Sequence, residues 1–277
     1  MTISGSTAIT GIFGYPVSHS LSPVMHNAAF KALGIDYCYV AFPVHPDFLG
    51  NAVEGIKALS LCGVNITIPH KEKVIPLLEK IDAEASFIGA VNTIVNSGGI
   101  LTGFNTDGRG FMHSLSESGI TVKDREVLII GAGGAARAIS YYAGQEAKRL
   151  SIYNRTREKA LKLSNDLKPM FGNVSAVDLS DLEKYDVIIN TTPLGLKKTD
   201  PLPFDASRLG PSQAVCDIIY RQTPILDRAS RKGCKTLDGR GMLLWQGALS
   251  FELWTGMKPP IDIMRDALYT RLNHIPA

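Results

Sequence analysis

The chain has 277 residues, of which 45% are hydrophobic and 20% are charged, a composition typical of a globular protein with one large or two smaller domains. Its formal net charge is only +3 and its basic residues are scattered, which argues against a nucleic acid or a membrane surface as partner. The N-terminus shows no signal-peptide pattern, and no apolar run is long enough to cross a bilayer. The sequence therefore predicts a cytoplasmic protein that acts on a small molecule.

The cysteine and histidine residues give no indication of a metal site. None of the cysteines lies in a C-x-x-C pair, so free thiols in a reducing compartment are expected. His26 and His113 fall on predicted helices without acidic partners at ligand spacing. The cysteines are Cys38, Cys62, Cys216 and Cys234.

Strand and helix patterns alternate through the first part of the chain. The predicted elements are strand 8–14, a helix that begins with Ser22 as N-cap and Pro23 and ends at Gly34, the strand YCYVAF, helix 47–60, the strand GVNITI, a helix broken or kinked at Pro76, and a hairpin over 90–105.

A second alternating series starts near Asp107. It comprises helix 107–119, strand 126–130 and its following helix, RLSIYN, helix 156–168, VSAV, DVIINTTP, AVCDIIY, helix 224–232, KTLDG, and a helix–turn–helix over 240–274. This alternation predicts an α/β fold with two domains, mostly parallel sheets and a crevice between them. The first domain would comprise residues 1–106 completed by the C-terminal helices, 240–277. The second would be a Rossmann-type, doubly wound domain of residues 107–239.

The stretch GVNITIPHKEK (63–73) combines a strand pattern with polar chemistry. Its apolar residues alternate with Asn65 and Thr67, which is the period of a half-buried strand. The strand is followed at once by His70 and Lys71. A lysine just past a strand is usually solvated, so this pattern by itself assigns Lys71 no role, and His70 is expected to be structural and hydrogen-bonded.

A dinucleotide-binding motif follows strand 126–130. The residues are Gly131, Ala132, Gly133, Gly134, Ala135 and Ala136, which give G-x-G-x-x-A in the context of strand, tight turn and helix start. Gly131 permits the turn, Gly133 lets a pyrophosphate approach the backbone, and the small Ala136 allows close packing of helix on strand. The N-terminus of the helix supplies N–H donors for the phosphates.

The residues after the next strand indicate which dinucleotide is bound. An NAD site would place a carboxylate there for the ribose 2′-hydroxyl, whereas this chain has Asn154, Arg155, Thr156 and Arg157. Two guanidiniums could clamp a 2′-phosphate. The alternative is that both arginines are simply solvated at a helix start, but cations are unfavourable at that end of a helix unless an anion joins them. NADP is the predicted cofactor.

Several stretches together resemble the shikimate dehydrogenase family, NADP-dependent enzymes of aromatic amino-acid biosynthesis. These are SHSLSP (18–23), NITIPHK (65–71), AVNT (90–93), GFNTDG (103–108), GAGGAARA, NRT, NTTPLG (190–195), DIIY (217–220) and GMLLWQGA (241–248). Their order and spacing cover nearly the whole chain. The resemblance implies reversible, NADPH-dependent reduction of 3-dehydroshikimate to shikimate.

The resemblance also implies roles for individual residues. Lys71 and Asp107 match the catalytic pair beside the substrate hydroxyl, and Ser18 and Ser20 match the serines that hold the substrate carboxylate. The residues that match contacts to the carboxylate or ring hydroxyls are Asn65, Thr67, Asn92, Tyr220 and Gln246. Those expected near the nicotinamide side of the cofactor are Thr191, Pro193 and Leu194, with Gly241 as a further cofactor contact. On this interpretation the polar face of the quoted strand lines the substrate pocket.

Hydride transfer is the cofactor's chemistry, so the protein must position the carbon and manage one alcohol proton. Partial burial and the nicotinamide charge would lower the pKa of a lysine at this position, whereas a neighbouring carboxylate would raise it. The sequence therefore leaves open whether Lys71 carries the proton or acts as an electrostatic and orienting group.

Three rival functions compete with this interpretation. A quinate/shikimate dehydrogenase would take a substrate with one more hydroxyl and would often use NAD. An NADP-binding sensor without turnover would lack the catalytic pair, yet both residues are present. A fused enzyme would need a further catalytic domain, for which the chain has no room. The expected assembly is a monomer or a homodimer.

Overall fold

The protein, here as a computed structural model, is described over residues 3–197 and 199–274. It divides into two compact units. The first comprises the chain up to Thr106 and from Gln246 onwards, and the second is Asp107–Trp245. The division falls inside one helix, between Trp245 and Gln246. None of the helices described has the length and apolarity that a membrane span needs.

The first unit is built around a mixed sheet. Its elements are β1 (Ala8–Gly14), α1 (Ser22–Leu33), β2 (Tyr37–Pro43), α2 (Leu49–Ala58), β3 (Gly63–Ile66), β4 (Lys80–Ile81), α3 (Ala83–Ile88), β5 (Thr93–Ser97), β6 (Ile100–Phe104) and the later part of α8 (Arg240–Thr255), with α9 (Ile261–Asn273). The strand order is β2-β1-β3-β5-β6-β4. Pairing is parallel except at β3–β5 and β5–β6.

The second unit has a wholly parallel sheet. Its elements are α4 (Asp107–Glu117), β7 (Glu126–Ile130), α5 (Gly134–Glu146), β8 (Arg149–Tyr153), α6 (Arg157–Phe171), β9 (Val174–Ala176), β10 (Val187–Asn190), β11 (Ala214–Asp217), α7 (Pro224–Arg231), β12 (Lys235–Leu237) and the start of α8. The strand order is β12-β11-β10-β7-β8-β9, which is the doubly wound Rossmann order with β7 at the switch point.

The predicted fold class is confirmed. The second sheet is Rossmann-type, and α9 packs against α1 so that the C-terminal helices return to the first unit. The expectation of mostly parallel strands is correct for the second sheet. It also holds for the first sheet, where only the pairs β3–β5 and β5–β6 are antiparallel, and β5–β6 is the predicted hairpin, whose short turn can join only antiparallel neighbours.

Three local predictions need correction. The helix expected around Pro76 is only a short 3-10 turn, Ile75–Leu77, because proline lacks the N–H that a continuing helix requires. Ser22 is the first helical residue rather than the N-cap, which is Leu21. Helix α6 continues through Pro169 to Phe171. The four cysteines are free, as predicted.

An aromatic cluster in the first unit encloses a histidine. His26 on α1 has no exposed surface, and its ring stacks on Tyr39 with centroids 4.4 Å apart. The rings of Phe251 and Trp254 on α8 lie 6.5 Å and 5.3 Å from it. Neither ring nitrogen has a hydrogen-bond partner within the described part of the chain. Burial lowers the pKa of His26 from 6.5 to about 3, so the imidazole is neutral in the folded protein.

This burial predicts a loss of stability in mild acid. The pKa of His26 is lower in the folded than in the unfolded chain. The contribution of the neutral side chain to the free energy of unfolding is therefore complete above pH 6.5 and is lost as the pH falls towards 3. Between pH 7.5 and 4.5 the free energy of unfolding of the native protein should fall by about 2–3 kcal/mol relative to a His26→Phe variant. Urea unfolding of both proteins at several pH values measures this difference. A difference that does not change with pH would contradict the assignment.

Candidate active site

The polar face of β3 is occupied by a buried amide. The Asn65 side chain is 4% exposed, and its Oδ1 accepts a hydrogen bond of 2.7 Å from the Tyr39 hydroxyl. Its Nδ2 lies 3.1 Å from the Asn92 carbonyl and 3.0 Å from Ser250 Oγ on α8. The amide therefore links β2, β3 and α8. A direct contact of Asn65 with substrate stays a prediction.

Asn92 and Gln246, both predicted substrate contacts, lie together. Asn92 Oδ1 accepts the Thr106 N–H at 2.9 Å, and its Nδ2 donates to Thr106 Oγ1 at 2.9 Å and to Gln246 Oε1 at 3.5 Å. Thr106 Oγ1 also donates to the Gln246 carbonyl at 3.0 Å. A network of this kind fixes the rotamers of both amides. It also connects the start of the hairpin to α8.

Lys71 lies in the turn that follows β3. Its backbone carbonyl accepts the Val91 N–H at 2.8 Å, and the residue is half-buried. The preceding His70 is fully buried, and its Nε2 lies 2.8 Å from the Val44 carbonyl. The expected structural role of His70 is confirmed. Thr67 is partly exposed at the end of the strand, and its N–H donates to the Phe13 carbonyl at 2.9 Å.

The two predicted carboxylate-binding serines occupy the segment before α1. The Ser20 N–H donates to the Val17 carbonyl at 3.0 Å, and Ser20 Oγ accepts the Ser22 N–H at 3.3 Å. Ser18 is exposed in the turn.

Asp107, from the second unit, is the first residue of α4 and is buried. The pairing of Lys71 with Asp107 stays a prediction.

Two of the three glycines of the motif, Gly131 and Gly133, are glycine for different structural reasons. Gly131 has φ +119°, and a Cβ there would clash with Thr191 Oγ1, so the fold itself requires glycine. Gly133, the N-cap of α5, has φ −88°, and a Cβ there would meet no protein atom within 4 Å. The open space lies beside the first backbone N–H groups of α5, which have no intrahelical acceptors. These residues fit a bound pyrophosphate.

The arginines after β8 differ from each other. Arg157 Nη1 lies 3.1 Å from Asp178 Oδ2, and both side chains are exposed, so this guanidinium already has an anionic partner. The sequence interpretation missed Asp178, which follows the adjacent strand β9. Arg155 is exposed, and Asn154 Nδ2 donates to the Thr156 carbonyl at 2.9 Å, which shapes the loop. Binding of a 2′-phosphate by Arg155 or Arg157 stays a prediction.

The remaining predicted cofactor residues follow β10 or begin α8. The Thr191 hydroxyl donates to the Ile130 carbonyl at 2.8 Å, which holds the loop with Pro193 and Leu194 beside the glycine turn. A Cβ on Gly241 would clash with Ser114 Oγ on α4, so helix packing alone explains that glycine. Its contact with a cofactor stays a prediction.

Two buried residues of this unit were missed as site candidates. Asn190 and Asp217 end β10 and β11, and the Asn190 Nδ2 donates to Asp217 Oδ2 at 3.1 Å. The sequence signal was present, since both interrupt apolar strands just before predicted site loops. Tyr220, three positions after Asp217 and 45% exposed, lies in one of these loops.

Over the described residues, no group of three or more His, Cys, Asp or Glu is arranged to hold a metal ion.

Comparison with known proteins decides the family. Three family models match the chain: "Shikimate dehydrogenase substrate binding domain" over residues 12–94, "Shikimate / quinate 5-dehydrogenase" over 114–194, and "Shikimate 5'-dehydrogenase C-terminal domain" over 239–269. A shikimate dehydrogenase (NADP(+)) of Desulforamulus reducens is 44% identical, over 98% of this chain and 97% of its own. The chain belongs to the shikimate dehydrogenase family.

Solved structures agree with this family assignment. A crystal structure of a shikimate dehydrogenase in complex with NADP+ matches with a TM-score of 0.92 and 41% identity, covering 98% of this chain and 97% of that one. The Thermus thermophilus enzyme in complex with NADP(H) and shikimate matches with a TM-score of 0.88 and 36% identity, covering 95% and 99%. The resemblance seen in the sequence motifs is thereby confirmed.

The two glycines make a matched pair of variants. Gly133→Ala should lower the free energy of unfolding by less than about 1 kcal/mol, because alanine can adopt this backbone conformation and the space around it is open. Its methyl group should nevertheless weaken NADP+ binding at least about tenfold, because it would block the pyrophosphate. Gly131→Ala should instead destabilise the fold by about 1–3 kcal/mol, because the residue has a positive φ. Calorimetric titration and thermal unfolding measure both effects. Wild-type affinity for NADP+ in the Gly133→Ala variant would refute the pyrophosphate site.

Proposed function

We propose that this protein catalyses the reversible, NADPH-dependent reduction of 3-dehydroshikimate to shikimate in aromatic amino-acid (chorismate) biosynthesis. The observation that carries the proposal is the nearly full-length likeness to NADP-dependent shikimate dehydrogenases. The open space at Gly133 supports it from this chain's own residues.

NADP is the proposed cofactor, and it would supply or accept the hydride. The Gly133 space and the first N–H groups of α5 would hold its pyrophosphate. Arg155, with support from Arg157 and the backbone of Asn154 and Thr156, would bind the 2′-phosphate that distinguishes NADP from NAD. Asp178 partly neutralises Arg157, so the two arginines contribute unequally.

The substrate would be bound by the residues of the first unit that carry hydroxyl and amide groups. Ser18 and Ser20 are proposed to bind the carboxylate, because short hydroxyl side chains in a turn can donate to a planar anion. Asn92 and Gln246, held by the Thr106 network, would present their amides to ring hydroxyls. Thr67, directly after β3, is a further proposed donor, and Tyr220 is the one from the second unit.

Lys71 and Asp107 are the proposed catalytic residues. Reduction of the ketone places negative charge on its oxygen, which must gain one proton as the alcohol forms. The Lys71 ammonium either gives that proton directly or stabilises the developing charge and orients the oxygen. Asp107 would hold the lysine amine or the substrate hydroxyl in place. A sensor without turnover would need neither group.

A quinate/shikimate dehydrogenase is the second candidate, because the model that matches residues 114–194 is described for both acids. Quinate carries an additional hydroxyl on the carbon that bears the carboxylate, so the space beside Ser18 and Ser20 would decide between the two substrates. The arginines after β8 argue against the NAD use that often accompanies quinate oxidation.

We also propose a cytoplasmic location and a monomeric or homodimeric state without nucleic acid. The free thiols suit a reducing compartment, and the small net charge gives no electrostatic reason to bind a polyanion. Size-exclusion chromatography with light scattering tests the assembly, and a larger oligomer would contradict it.

Steady-state assays test the reaction and its specificity. Oxidation of the acid, followed as formation of the reduced coenzyme, should be at least about tenfold more efficient, as kcat/KM, with shikimate than with quinate, and with NADP+ than with NAD+. An Arg155→Ala variant should lose efficiency mainly with NADP+, because only NADP+ carries the 2′-phosphate. Equal efficiency with both acids would favour the second candidate, and no turnover with either acid would refute the proposal.

Variants of the two catalytic residues test their roles. Lys71→Ala and Asp107→Asn should each lower kcat about a hundredfold or more, because each loses a group that acts on the alcohol proton. Lys73→Ala is the matched control, since Lys73 is exposed in the same turn and its loss should leave kcat unchanged. If Lys71 carries the proton, small added amines should partly restore turnover in Lys71→Ala. Near-normal turnover in both variants would refute the assignment.

A further inference from the structure

A buried polar pair lies at the carboxyl ends of the two neighbouring strands β10 and β11. Asn190 and Asp217 are the last residues of these strands and are paired in register. Both are fully buried, although the residues before them in each strand are apolar and form the core. Buried polar side chains are retained where their hydrogen bonds hold something in place.

Asn190 fixes the loop after β10. Its Oδ1 accepts the Thr192 N–H at 3.1 Å and the Thr192 hydroxyl at 2.7 Å. Its Nδ2 donates to the Leu194 carbonyl at 3.3 Å as well as to Asp217. The backbone from 191 to 194, which carries the residues proposed near the nicotinamide, is thus tied to one buried amide.

Asp217 fixes the loop after β11. Its Oδ1 accepts the Ile219 N–H at 3.1 Å, and its Oδ2 accepts the Thr223 hydroxyl at 2.9 Å in addition to the Asn190 amide. These bonds enclose the segment that presents Tyr220. All of the donors described are neutral, so the carboxylate is held by hydrogen bonds rather than by an ion pair.

The two loops also contact each other directly. Arg221 Nη2 donates to the Gly195 carbonyl at 3.3 Å and to the Leu196 carbonyl, and a Cβ on Gly195 would lie 3.4 Å from the Thr223 side chain. The loops therefore form one assembly whose buried base is the Asn190–Asp217 pair. A shift of this pair would move both loops together.

We propose that Asn190 and Asp217 are positioning residues that hold the nicotinamide-side loop and the Tyr220 loop in the arrangement needed for hydride transfer. The inference rests on the proposed function and deepens it. It predicts that the pair acts on turnover and on the nicotinamide half of the cofactor. The adenosine half, at the glycine turn and Arg155, should be unaffected.

Exchange variants test the pair. Asp217→Asn replaces one of the two acceptor oxygens with an NH2 group, so the side chain can no longer accept from Asn190, Thr223 and Ile219 together. Asn190→Asp sets a carboxylate against Asp217 and removes the bond between the two side chains. Each should lower kcat at least about tenfold, since small displacements of reacting groups have large effects, with little change in the KM for shikimate. The double exchange, Asn190→Asp with Asp217→Asn, restores a hydrogen bond between the two side chains and should recover part of the loss, because the bond to the Leu194 carbonyl and one acceptor oxygen at position 217 remain absent.

Binding measurements separate positioning from simple folding. NADP+ binding should weaken in the single variants, whereas binding of 2′,5′-ADP, which lacks the nicotinamide, should stay as in the wild type. Gln213→Met is the matched control: Gln213 is buried at the other end of β11 and donates to the Leu182 and Tyr185 carbonyls at 2.8 and 2.7 Å. Its loss should lower the melting temperature without changing kcat or the ratio of the two affinities.

Two less disruptive variants, at Thr223, test the same role if an exchange variant does not fold. Thr223→Val removes one donor to Asp217 at nearly constant volume and should lower kcat, and Thr223→Ser should recover most of that loss. Single exchange variants with wild-type kcat, or with equal losses of NADP+ and 2′,5′-ADP binding, would overturn the positioning role. Failure of the wild-type protein to oxidise shikimate would instead refute the proposed function on which it rests.

Discussion

Both halves of this protein depend on one constraint: side-chain amides that are buried at strand ends must be hydrogen-bonded. Asn65 and Asn92 satisfy it in the first unit, and Asn190 in the second, where its partner is the carboxylate of Asp217. An unpaired polar group at such a depth would cost about 1–3 kcal/mol. Each amide is therefore bonded in several directions, and the loops that leave the strands are fixed as a result.

This constraint explains why polar residues can stand where apolar ones would pack more simply. In the first unit, the Thr106 network holds Asn92 and Gln246 in fixed rotamers. In the second, Thr191 closes the glycine turn by bonding to the Ile130 carbonyl. Binding groups that are already oriented lose less conformational entropy when a ligand arrives.

The sequence predicted those parts whose signals are local. The G-x-G-x-x-A turn after an apolar strand, the hairpin over 90–105 and the alternation of strands and helices each depend on neighbours in the chain. The pairing of Arg157 with Asp178, and of Asn190 with Asp217, could not be predicted, because it depends on which strands lie side by side. The same limit applies to the packing of Gly241 against Ser114, which depends on how two helices pack, while the cofactor contact suggested by its motif stays a prediction.

The backbone at Gly133 has a thermodynamic consequence for the apo protein. Glycine there widens the conformational freedom of the unfolded chain, and a Cβ at this position would gain no contact with the protein in the folded chain. A coenzyme that occupies this space and binds only the folded chain shifts the folding equilibrium by mass action. Melting temperatures measured without nucleotide should therefore understate the resistance to heat of the protein at cellular coenzyme concentrations.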